Sequence, residues 1–413
     1  MRVGAAVVDV TPPAGPPMAG FAARTSPATG THDPLTVRAV CVDDTALVTV
    51  DVVGLHEDTC AEVRRCCPLP ADRVVVHATH THGGPASMPG RLGHDPDPGW
   101  LTDVVDTCIA ALARALERQQ PATLRAGYGA DPSVARNRRR PDGPVDGLVP
   151  VAWFTSESGD VLAAVASYAC HPVVLGADNT SWTADYPGVV RAELEACHPG
   201  AVALFVTGCA GDANHGHSAQ ASVSTAASPT RTFAEASRVG RLVAATVASA
   251  PCRHLPGEVR AASGDVRLDL DVFTSAQLQG AAQRWEAELA RCEPTRAVLL
   301  EHWLSWARGV DTYSDWTGPV TVLRWGELRV VALPGEPFAA AALSVRAALA
   351  DTGVIFVVGY SGGCPGYLPA REEYTYGGYE VQEAHRFYGL PGRFAADSLD
   401  RVVDHAVALA RTV

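Results

Sequence analysis

The sequence predicts an α/β fold in which mixed β-sheets are flanked by helices. Strand-like apolar runs alternate with helical runs along the chain, which is the pattern of α/β proteins. Hydrophobic residues make up 47% of the 413 residues and charged residues 19%, as in globular proteins with a large core. Because no internal repeat divides the chain, we expect one large domain over residues 1–413.

Short runs rich in Val, Ala and Leu predict the buried strands. In chain order they cover residues 46–53, 73–76, 161–166, 201–206, 328–332 and 354–358. Amphipathic runs predict helices over residues 101–118, 234–250, 275–291, 338–349 and 398–410. In the first of these helices apolar residues recur at helical spacing, at Leu101, Val104, Val105, Cys108, Ile109, Leu112 and Leu116.

Two segments lack either pattern. Residues 89–100 are rich in Gly and Pro and are predicted to form a loop over the functional site. Residues 215–232 are rich in Ser, Ala and Thr, which predicts a flexible surface loop. The segment 280–320 holds a cluster of tryptophans that is explained either by packing or by an apolar wall for a substrate: Trp285, Trp303, Trp306 and Trp316.

The composition excludes several classes of function. The formal net charge is −12, so we expect a small-molecule substrate rather than a nucleic-acid partner. All 33 basic residues are Arg. Without Lys the chain has no Schiff-base lysine, no P-loop lysine and no Ser-Lys dyad.

We expect neither a signal peptide nor a transmembrane segment. Residues 1–10 are strand-like and too short for a signal peptide, and no apolar run is long enough for a transmembrane segment. The 11 Cys include no CxxC pair and are expected to be reduced, mostly buried thiols. These features predict a cytoplasmic protein, and they leave open whether it is a homo-oligomer.

The most informative motif is Thr-His-Thr-His-Gly-Gly-Pro at residues 79–85, which follows the strand predicted at 73–76. His80 and His82 are two residues apart at a strand end, so their side chains point to the same side. The Gly-Gly-Pro that follows ends the strand and opens space. This pattern favours a divalent metal site, and a pair of hydrogen-bonded histidines without metal is the alternative.

Two more candidate ligands stand where a predicted strand runs out into a loop. His171 follows the strand at 161–166, and Glu336 follows the strand at 328–332. Zinc sites take His and carboxylate ligands from distant parts of a chain, and functional residues concentrate in such loops. Each residue alone is also explained by a hydrogen-bonded His or by a Glu in a turn.

Two other motifs offer rival chemistry. Residues 359–363 match the G-x-S-x-G nucleophile elbow around Ser361, but such an elbow needs a helix directly after the Ser. Pro365 disfavours that helix, so we do not expect a serine hydrolase. His215 and His217 form a second H-x-H pair, which is expected to be a solvated pair because it lies in the predicted flexible loop.

Spaced motifs along most of the chain resemble, in the same order, those of one known family. Residues 79–85 are similar to that family's Thr-His-Thr-His-Ser-Gly-Pro signature. Further similar segments lie at residues 31–39, 137–138, 145–147, 211–212, 334–336 and 359–380. The family is that of the neutral, non-lysosomal ceramidases, and the resemblance covers their N-terminal catalytic domain.

The resemblance implies a single zinc ion held by His80, His171, Glu336 and Tyr367. Such a set leaves a position open for water or substrate, as catalytic zinc sites do. Tyr367 is an unusual ligand, because the metal would have to lower the pKa of its phenol from about 10.

The resemblance also implies roles for residues around the zinc. His82 is expected close to the zinc but not on it, where it would move a proton or stabilise an oxyanion. Arg138 would hold the carbonyl or a carboxylate of the substrate. Asp185, like the matching Asp of the family, precedes the start of a helix. It would either orient a His ligand or cap the helix.

The chain departs from the family in two ways. The Ser that assists at the scissile amide is replaced by Asn214, which is no nucleophile but can donate to an oxyanion. The family also carries a C-terminal β-sandwich domain, which we do not expect here.

The sequence thus predicts a zinc-dependent hydrolase that cleaves the amide of an N-acyl small molecule or lipid-like substrate with a metal-activated water. The first alternative is an ester or lactone hydrolase, or an amide-forming acyl-transfer enzyme, using the same zinc centre. A metal-stabilised binding protein without turnover is the second alternative.

Overall fold

The computed structural model describes residues 1–218 and 224–413 as four stacked layers. Two β-sheets face each other in the middle, and helices cover the outer face of each sheet. The predicted α/β fold, with mixed sheets flanked by helices, is confirmed.

The strands are β1 (Arg2–Asp9), β2 (Gly30–Thr31), β3 (Thr36–Val42), β4 (Thr45–Val50), β5 (Val74–Ala78), β6 (Gln120–Gly129), β7 (Arg136–Asn137), β8 (Val149–Ser156), β9 (Val161–Tyr168), β10 (Ser181–Trp182), β11 (Val202–Thr207), β12 (Ala213–Asn214), β13 (Cys252–His254), β14 (Val259–Val272), β15 (Asp315–Trp325), β16 (Leu328–Ala332), β17 (Glu336–Pro337), β18 (Val354–Val358), β19 (Tyr367–Leu368) and β20 (Gly392–Phe394). The α-helices are α1 (Glu57–Cys66), α2 (Pro98–Glu117), α3 (Asp185–Cys197), α4 (Phe233–Ser249), α5 (Ser275–Leu289), α6 (Pro294–Gly309), α7 (Ala339–Ala348), α8 (Tyr379–Gln382) and α9 (Ser398–Thr412).

The larger sheet has the strand order β11-β9-β8-β6-β1-β3-β4-β5, and β13 also pairs with β6. Its pairs are antiparallel except for β4–β5 and β9–β11. Side chains alternate between the two faces of each strand. In β3, Val37 and Ala39 belong to the core under the helices, whereas Val40 and Val42 belong to the core between the sheets.

The smaller sheet has the order β18-β16-β15-β14-β20, in which β16 and β18 run parallel. Its inner residues Leu323, Val330 and Phe356 share one core with Leu47 and Phe154 of the larger sheet. All five side chains are buried. Because this core is drawn from both sheets, the described residues fold as one unit.

Capping sets the start of α2. The side chain of Asp97 accepts a hydrogen bond from the N–H of Trp100 at 2.8 Å, and Pro98 occupies the first turn. The helix therefore begins three residues before the predicted start at residue 101, and the loop predicted over 89–100 is shorter by those residues. The predicted apolar face is buried at Val104, Cys108 and Leu112.

The second predicted loop, at residues 215–232, is followed by α4, whose start is capped by Thr232. Residues 219–223 of this loop lie outside the described residues. None of the helices described in 1–218 and 224–413 has the length and apolar character needed to cross a membrane.

Candidate metal centre

The carboxyl ends of strands from both sheets meet at one place. β5 and β11 are opposite edges of the larger sheet, yet Oγ1 of Thr207 donates to the carbonyl of Thr79 at 2.6 Å. The N–H of Gly359, which follows β18 of the smaller sheet, donates to the carbonyl of Thr207 at 3.2 Å. The larger sheet thus curls until its edges touch, and loops from both sheets converge there.

His80 leaves β5 in the left-handed backbone region, with φ of +65°, which is uncommon for residues other than Gly. Its ring is buried and stacks on Tyr360 with the centroids 4.1 Å apart. Nδ1 of His80 donates to the carbonyl of Val53. Because the proton of a neutral imidazole is then on Nδ1, the Nε2 atom carries a free lone pair.

His171 follows β9 and is held in the same way. It is fully buried, and its Nδ1 donates to the carbonyl of Ala210 at 2.6 Å. Burial and the positive charge of Arg138 lower the pKa of His171 to about 4, so the ring is neutral at pH 7. Its Nε2 lies 2.9 Å from Nε2 of His80, a separation at which two lone pairs repel.

Glu336 completes the group from the smaller sheet. Its Oε2 lies 3.0 Å from Nε2 of His171 and 3.2 Å from Nε2 of His80. This atom is buried and makes no hydrogen bond with any described residue. Oε1 accepts a hydrogen bond from the hydroxyl of Tyr388. Burial favours the neutral acid, but the two histidines hold the pKa of Glu336 well below its usual value.

This geometry fits a cation. Two imidazole lone pairs and one carboxylate oxygen point at each other in a place that excludes water, and the Nδ1 protons of both rings are engaged elsewhere. Backbone carbonyls that hold the far nitrogen of a His are also the usual way to orient metal ligands. The set of nitrogen and carboxylate ligands suits zinc.

Tyr367 lies beside this group. It is in β19, which pairs with β17 so that Tyr367 is directly opposite Glu336. Its hydroxyl accepts a hydrogen bond from Nη2 of Arg138 at 3.0 Å, and Nε of Arg138 forms an ion pair with Glu380 at 2.9 Å. Burial and the charge of Glu336 raise the pKa of Tyr367 well above its usual value, so without a cation the side chain is a phenol.

His82 faces the same space. Its Nε2 lies 3.4 Å from Nε2 of His80, and His80, His82 and His171 form a group that could hold a metal ion. Nδ1 of His82 is buried without a partner among the described residues. Burial lowers the pKa of His82 well below its usual value, so the ring is neutral at pH 7. The structure therefore places His82 beside the predicted ligands.

A glycine makes room for His82. Gly20 has φ of +101°, and a Cβ at this position would lie 2.4 Å from Nδ1 of His82. The loop that contains Gly20 can therefore cover the ring of His82 closely only because residue 20 has no side chain.

Asn214, the predicted oxyanion donor, uses its side chain to hold its own loop. Oδ1 accepts from the N–H groups of Gly216 and His217 at 2.8 and 3.0 Å, and Nδ2 donates to the carbonyl of His217 at 2.6 Å. Since an amide nitrogen has two protons, one is left for an oxyanion.

The structure corrects the expectation that Asp185 orients a His ligand. Its Oδ2 accepts from the N–H of Leu175 at 3.0 Å and its Oδ1 from the N–H of Tyr186 at 2.6 Å. Backbone carbonyls hold both ligand histidines instead. Asp185 begins α3 with φ of +56°, so its place is at the start of the helix. Burial raises its pKa to about 6.

Ser361 is not an exposed nucleophile. It is 2% exposed, and its hydroxyl donates to the carbonyl of Gly359 at 2.9 Å. Nδ1 of His77 lies 3.1 Å away, but Nε2 of His77 accepts the N–H of Thr207. The proton of His77 is therefore on Nδ1, which leaves no lone pair to take the proton of Ser361. Within the described residues no helix directly follows this serine, because the next α-helix, α8, begins only at Tyr379.

A cavity of about 220 Å³ opens beside the histidines. Its polar lining includes His82, Arg138, Asn214 and Tyr367. Its apolar walls are formed by Phe21, Leu92, Val173, Val298, Leu299 and Phe387.

The tryptophans of segment 280–320 do not line this cavity, so the packing explanation is the correct one. Each is at most 9% exposed. Arg386 packs over the rings of Trp285, Trp303 and Trp306.

Two supporting residues were not predicted from the sequence. The hydroxyl of Tyr388 donates to Oε1 of Glu336, and nothing in the sequence around Tyr388 indicates this contact. Asp51 is fully buried and binds both terminal nitrogens of Arg191 at 2.7 and 2.8 Å, while it also accepts from Oγ1 of Thr79 at 3.1 Å. A charged residue within the apolar run 46–53 was the available signal for Asp51.

Comparisons with known proteins bear on the fold. No protein-family profile matches the sequence, and no curated protein matches it. Among solved structures, the neutral ceramidase from Pseudomonas aeruginosa and a ceramidase complexed with C2 each match with a TM-score of 0.74 at 19% identity. Each match covers 100% of this chain and 75% of the other chain. The chain therefore has a neutral ceramidase-like fold.

Proposed function

We propose that this protein is a zinc-dependent hydrolase that cleaves the amide bond of an N-acyl compound. The observation that carries the proposal is the meeting of Oε2 of Glu336 with Nε2 of His80 and of His171 in a dry site. Two further observations support it: the matched solved structures are ceramidases, and the motifs at 79–85 and 334–336 resemble that family.

Zinc held by His80, His171, Glu336 and Tyr367 would supply a Lewis acid and a water of lowered pKa. His82 is neutral and its Nε2 faces the same space, so it can take a proton from the attacking water at Nε2 and then pass that proton to the departing amine nitrogen. The free amide proton of Asn214 can donate to the carbonyl oxygen as negative charge develops there.

Arg138 is better suited to positioning than to gripping the substrate. Glu380 neutralises its charge, and Nη2 points at the hydroxyl of Tyr367. The guanidinium thereby fixes the phenol and favours its ionised form beside a cation. This assignment revises the expectation that Arg138 holds a substrate carbonyl or carboxylate.

The proposed ligands come from both sheets: His80 and His171 follow strands of the larger sheet, and Glu336 follows β16 of the smaller sheet. The catalytic unit would therefore be the whole two-sheet structure within residues 1–413, rather than either sheet alone.

The test is a chelation and reconstitution experiment with matched substrates. Removal of zinc should abolish cleavage of an N-acyl compound, and added zinc should restore it. The same assay on the matching O-acyl compound distinguishes amide from ester hydrolysis. Full activity in metal-free protein would disprove the metal mechanism, and cleavage of the ester alone would favour the ester alternative.

A further inference from the structure

The cavity beside the histidines contains a buried positive charge without an ion pair. Arg231 lines the cavity and is 9% exposed. Its Nη2 donates to the carbonyls of Val173 and Leu175 at 3.1 and 3.0 Å, and its Nε is buried with no partner among the described residues. Asp185 and Asp178 act on it through space, but neither forms a salt bridge with it in the described structure.

The residues outside the described part of the chain hold no carboxylate that could pair with Arg231. Residues 219–223, which lie outside the described part of the chain, read Ala-Gln-Ala-Ser-Val and contain no carboxylate. Asp185 is already bound to two backbone N–H groups, and Asp178 is exposed. An anion in the cavity would therefore be the direct counter-ion of this guanidinium.

A second arginine strengthens the positive potential. Both guanidinium groups pack on the ring of Phe21, with Cζ of Arg24 at 5.0 Å and Cζ of Arg231 at 5.2 Å from its centroid. Arg24 is 2% exposed, and its Nη2 donates to the carbonyl of His82 at 2.6 Å. Neither buried guanidinium forms an ion pair with a carboxylate in the described structure, so a bound anion would stabilise this wall.

His217 adds a hydrogen-bonding group on the same side. It lines the cavity, and its Nε2 is buried without a partner among the described residues. The positive charge of Arg231 acts on it, which places the two side chains near each other. His217 of the H-x-H pair thus lines the cavity, whereas the pair was expected to be solvated.

The part of the cavity wall at Arg231 is separated from the proposed metal centre by the side chain of Phe21. The ring of Phe21 packs on the ring of His82 with the centroids 4.9 Å apart, and Val173 is two residues after His171. A carboxylate at Arg231 would therefore be close to the scissile amide. The apolar walls leave room for an acyl chain in the remainder of the cavity.

We infer, resting on the proposed amide hydrolysis, that the substrate carries a carboxylate next to its scissile amide, as an N-acyl amino acid does. Arg231 and His217 bind that carboxylate, while the acyl chain lies against Leu299 and Phe387. Both protons of Nη2 are engaged by the two carbonyls, so Nη1 of Arg231, for which no hydrogen bond is found among the described residues, is the group that donates to the carboxylate.

The test uses zinc-loaded protein and two amides with the same acyl chain, N-octanoylglycine and N-octanoylethanolamine. We expect kcat/KM to be about 10- to 100-fold higher for the carboxylate compound, the scale of a hydrogen-bonded charge pair. Arg231→Gln should reduce this ratio to near one, whereas the exposed control Arg238→Gln should keep it. Equal rates in the unmodified protein, or a preference that survives Arg231→Gln, would overturn the inference.

A binding measurement separates this inference from the proposed function. N-octylglycine and N-octylethanolamine have no amide and cannot be cleaved, so calorimetric titration reports recognition alone. Tighter binding of N-octylglycine that is lost in Arg231→Gln supports the carboxylate site even if neither amide is hydrolysed. Hydrolysis of both amides with no binding preference would leave the proposed function standing and reject the carboxylate site. The rates for the two amides and the affinities for the two amines are compared first in the unmodified protein. These comparisons show whether a carboxylate is preferred even if Arg231→Gln fails to fold.

Discussion

Oε2 of Glu336 lies 3.0 Å from Nε2 of His171 with no proton available between them. The two atoms come from different sheets, and the folded chain holds both in a place that excludes water. Such an arrangement favours a positive charge at its centre, and a metal ion in that place is the basis of the first prediction.

Replacement of His80, His171 or Glu336 by Ala should remove most bound zinc and nearly all turnover, because each supplies one of the converging ligand atoms. Metal analysis of the purified variants measures this directly. The matched control is His254→Ala, at an exposed position in β13, which should keep its zinc. One zinc per chain in the three ligand variants would refute the assignment.

His82→Ala should keep its zinc and lose about 100-fold or more of the rate, the scale of a general acid–base or oxyanion group. The reason is that His82 faces the cluster without contacting Glu336. Metal content and kcat are measured on the same sample. A metal-free variant would show that His82 is itself a ligand, as its 3.4 Å approach to His80 would allow.

Tyr388→Phe should weaken zinc binding by about 10- to 100-fold, the usual effect of removing a residue that orients a metal ligand. The lost group is the hydroxyl that donates to Oε1 of Glu336. Competition with a chelator of known affinity gives the dissociation constant. Tyr376→Phe is the control, because Tyr376 is 59% exposed. Equal affinity in both variants would contradict the role given to Tyr388.

Ser361→Ala should keep most of the activity, and a fluorophosphonate probe should leave the protein unlabelled. The hydroxyl is buried, and burial lowers the pKa of His77 to about 3, so His77 stays neutral with its proton on Nδ1. Mass spectrometry of the probe-treated protein checks the result. Stoichiometric labelling at Ser361 would replace the metal mechanism by a covalent one.

Asp51→Asn should destabilise the fold by about 3–5 kcal/mol, because it leaves the buried guanidinium of Arg191 without its counter-ion. Burial favours the neutral form of Asp51, but Arg191 outweighs it and lowers the pKa in the folded state. The stabilisation is therefore present above the ordinary Asp pKa of about 3.9 and is lost as the pH falls through the folded value.

Denaturant unfolding at pH 7 and at lower pH tests this prediction for Asp51. The difference between the unmodified protein and Asp51→Asn should shrink as the pH falls below about 4. Asp44→Asn, at a partly exposed surface pair with Arg73, should change stability little at either pH. If the stability difference between the unmodified protein and Asp51→Asn does not depend on pH, the loss of stability comes from the changed shape of the side chain and not from the lost charge.

The local pattern of residues was enough to predict several of the buried strands and helices and the candidate ligands. The strand at 328–332 coincides with β16, and the strand at 354–358 coincides with β18, because a buried strand is a short continuous apolar run. His80, His171 and Glu336 were found because each follows such a run. Helix ends were less accurate, as at α2, because a cap and a proline extend the helix beyond its apolar face.

What only the tertiary structure decided was which groups face each other. The tautomers of His80 and His171 follow from carbonyls of Val53 and Ala210, which are 27 and 39 residues away along the chain. Tyr388 reaches Glu336 across 52 residues, and Arg191 reaches Asp51 across 140. An acid before a helix, such as Asp185, has the same local sequence whether it binds a histidine or backbone amides. The sequence by itself determined the residues available for metal chemistry, whereas their partners depend on how two sheets curl and stack, which no local pattern encodes.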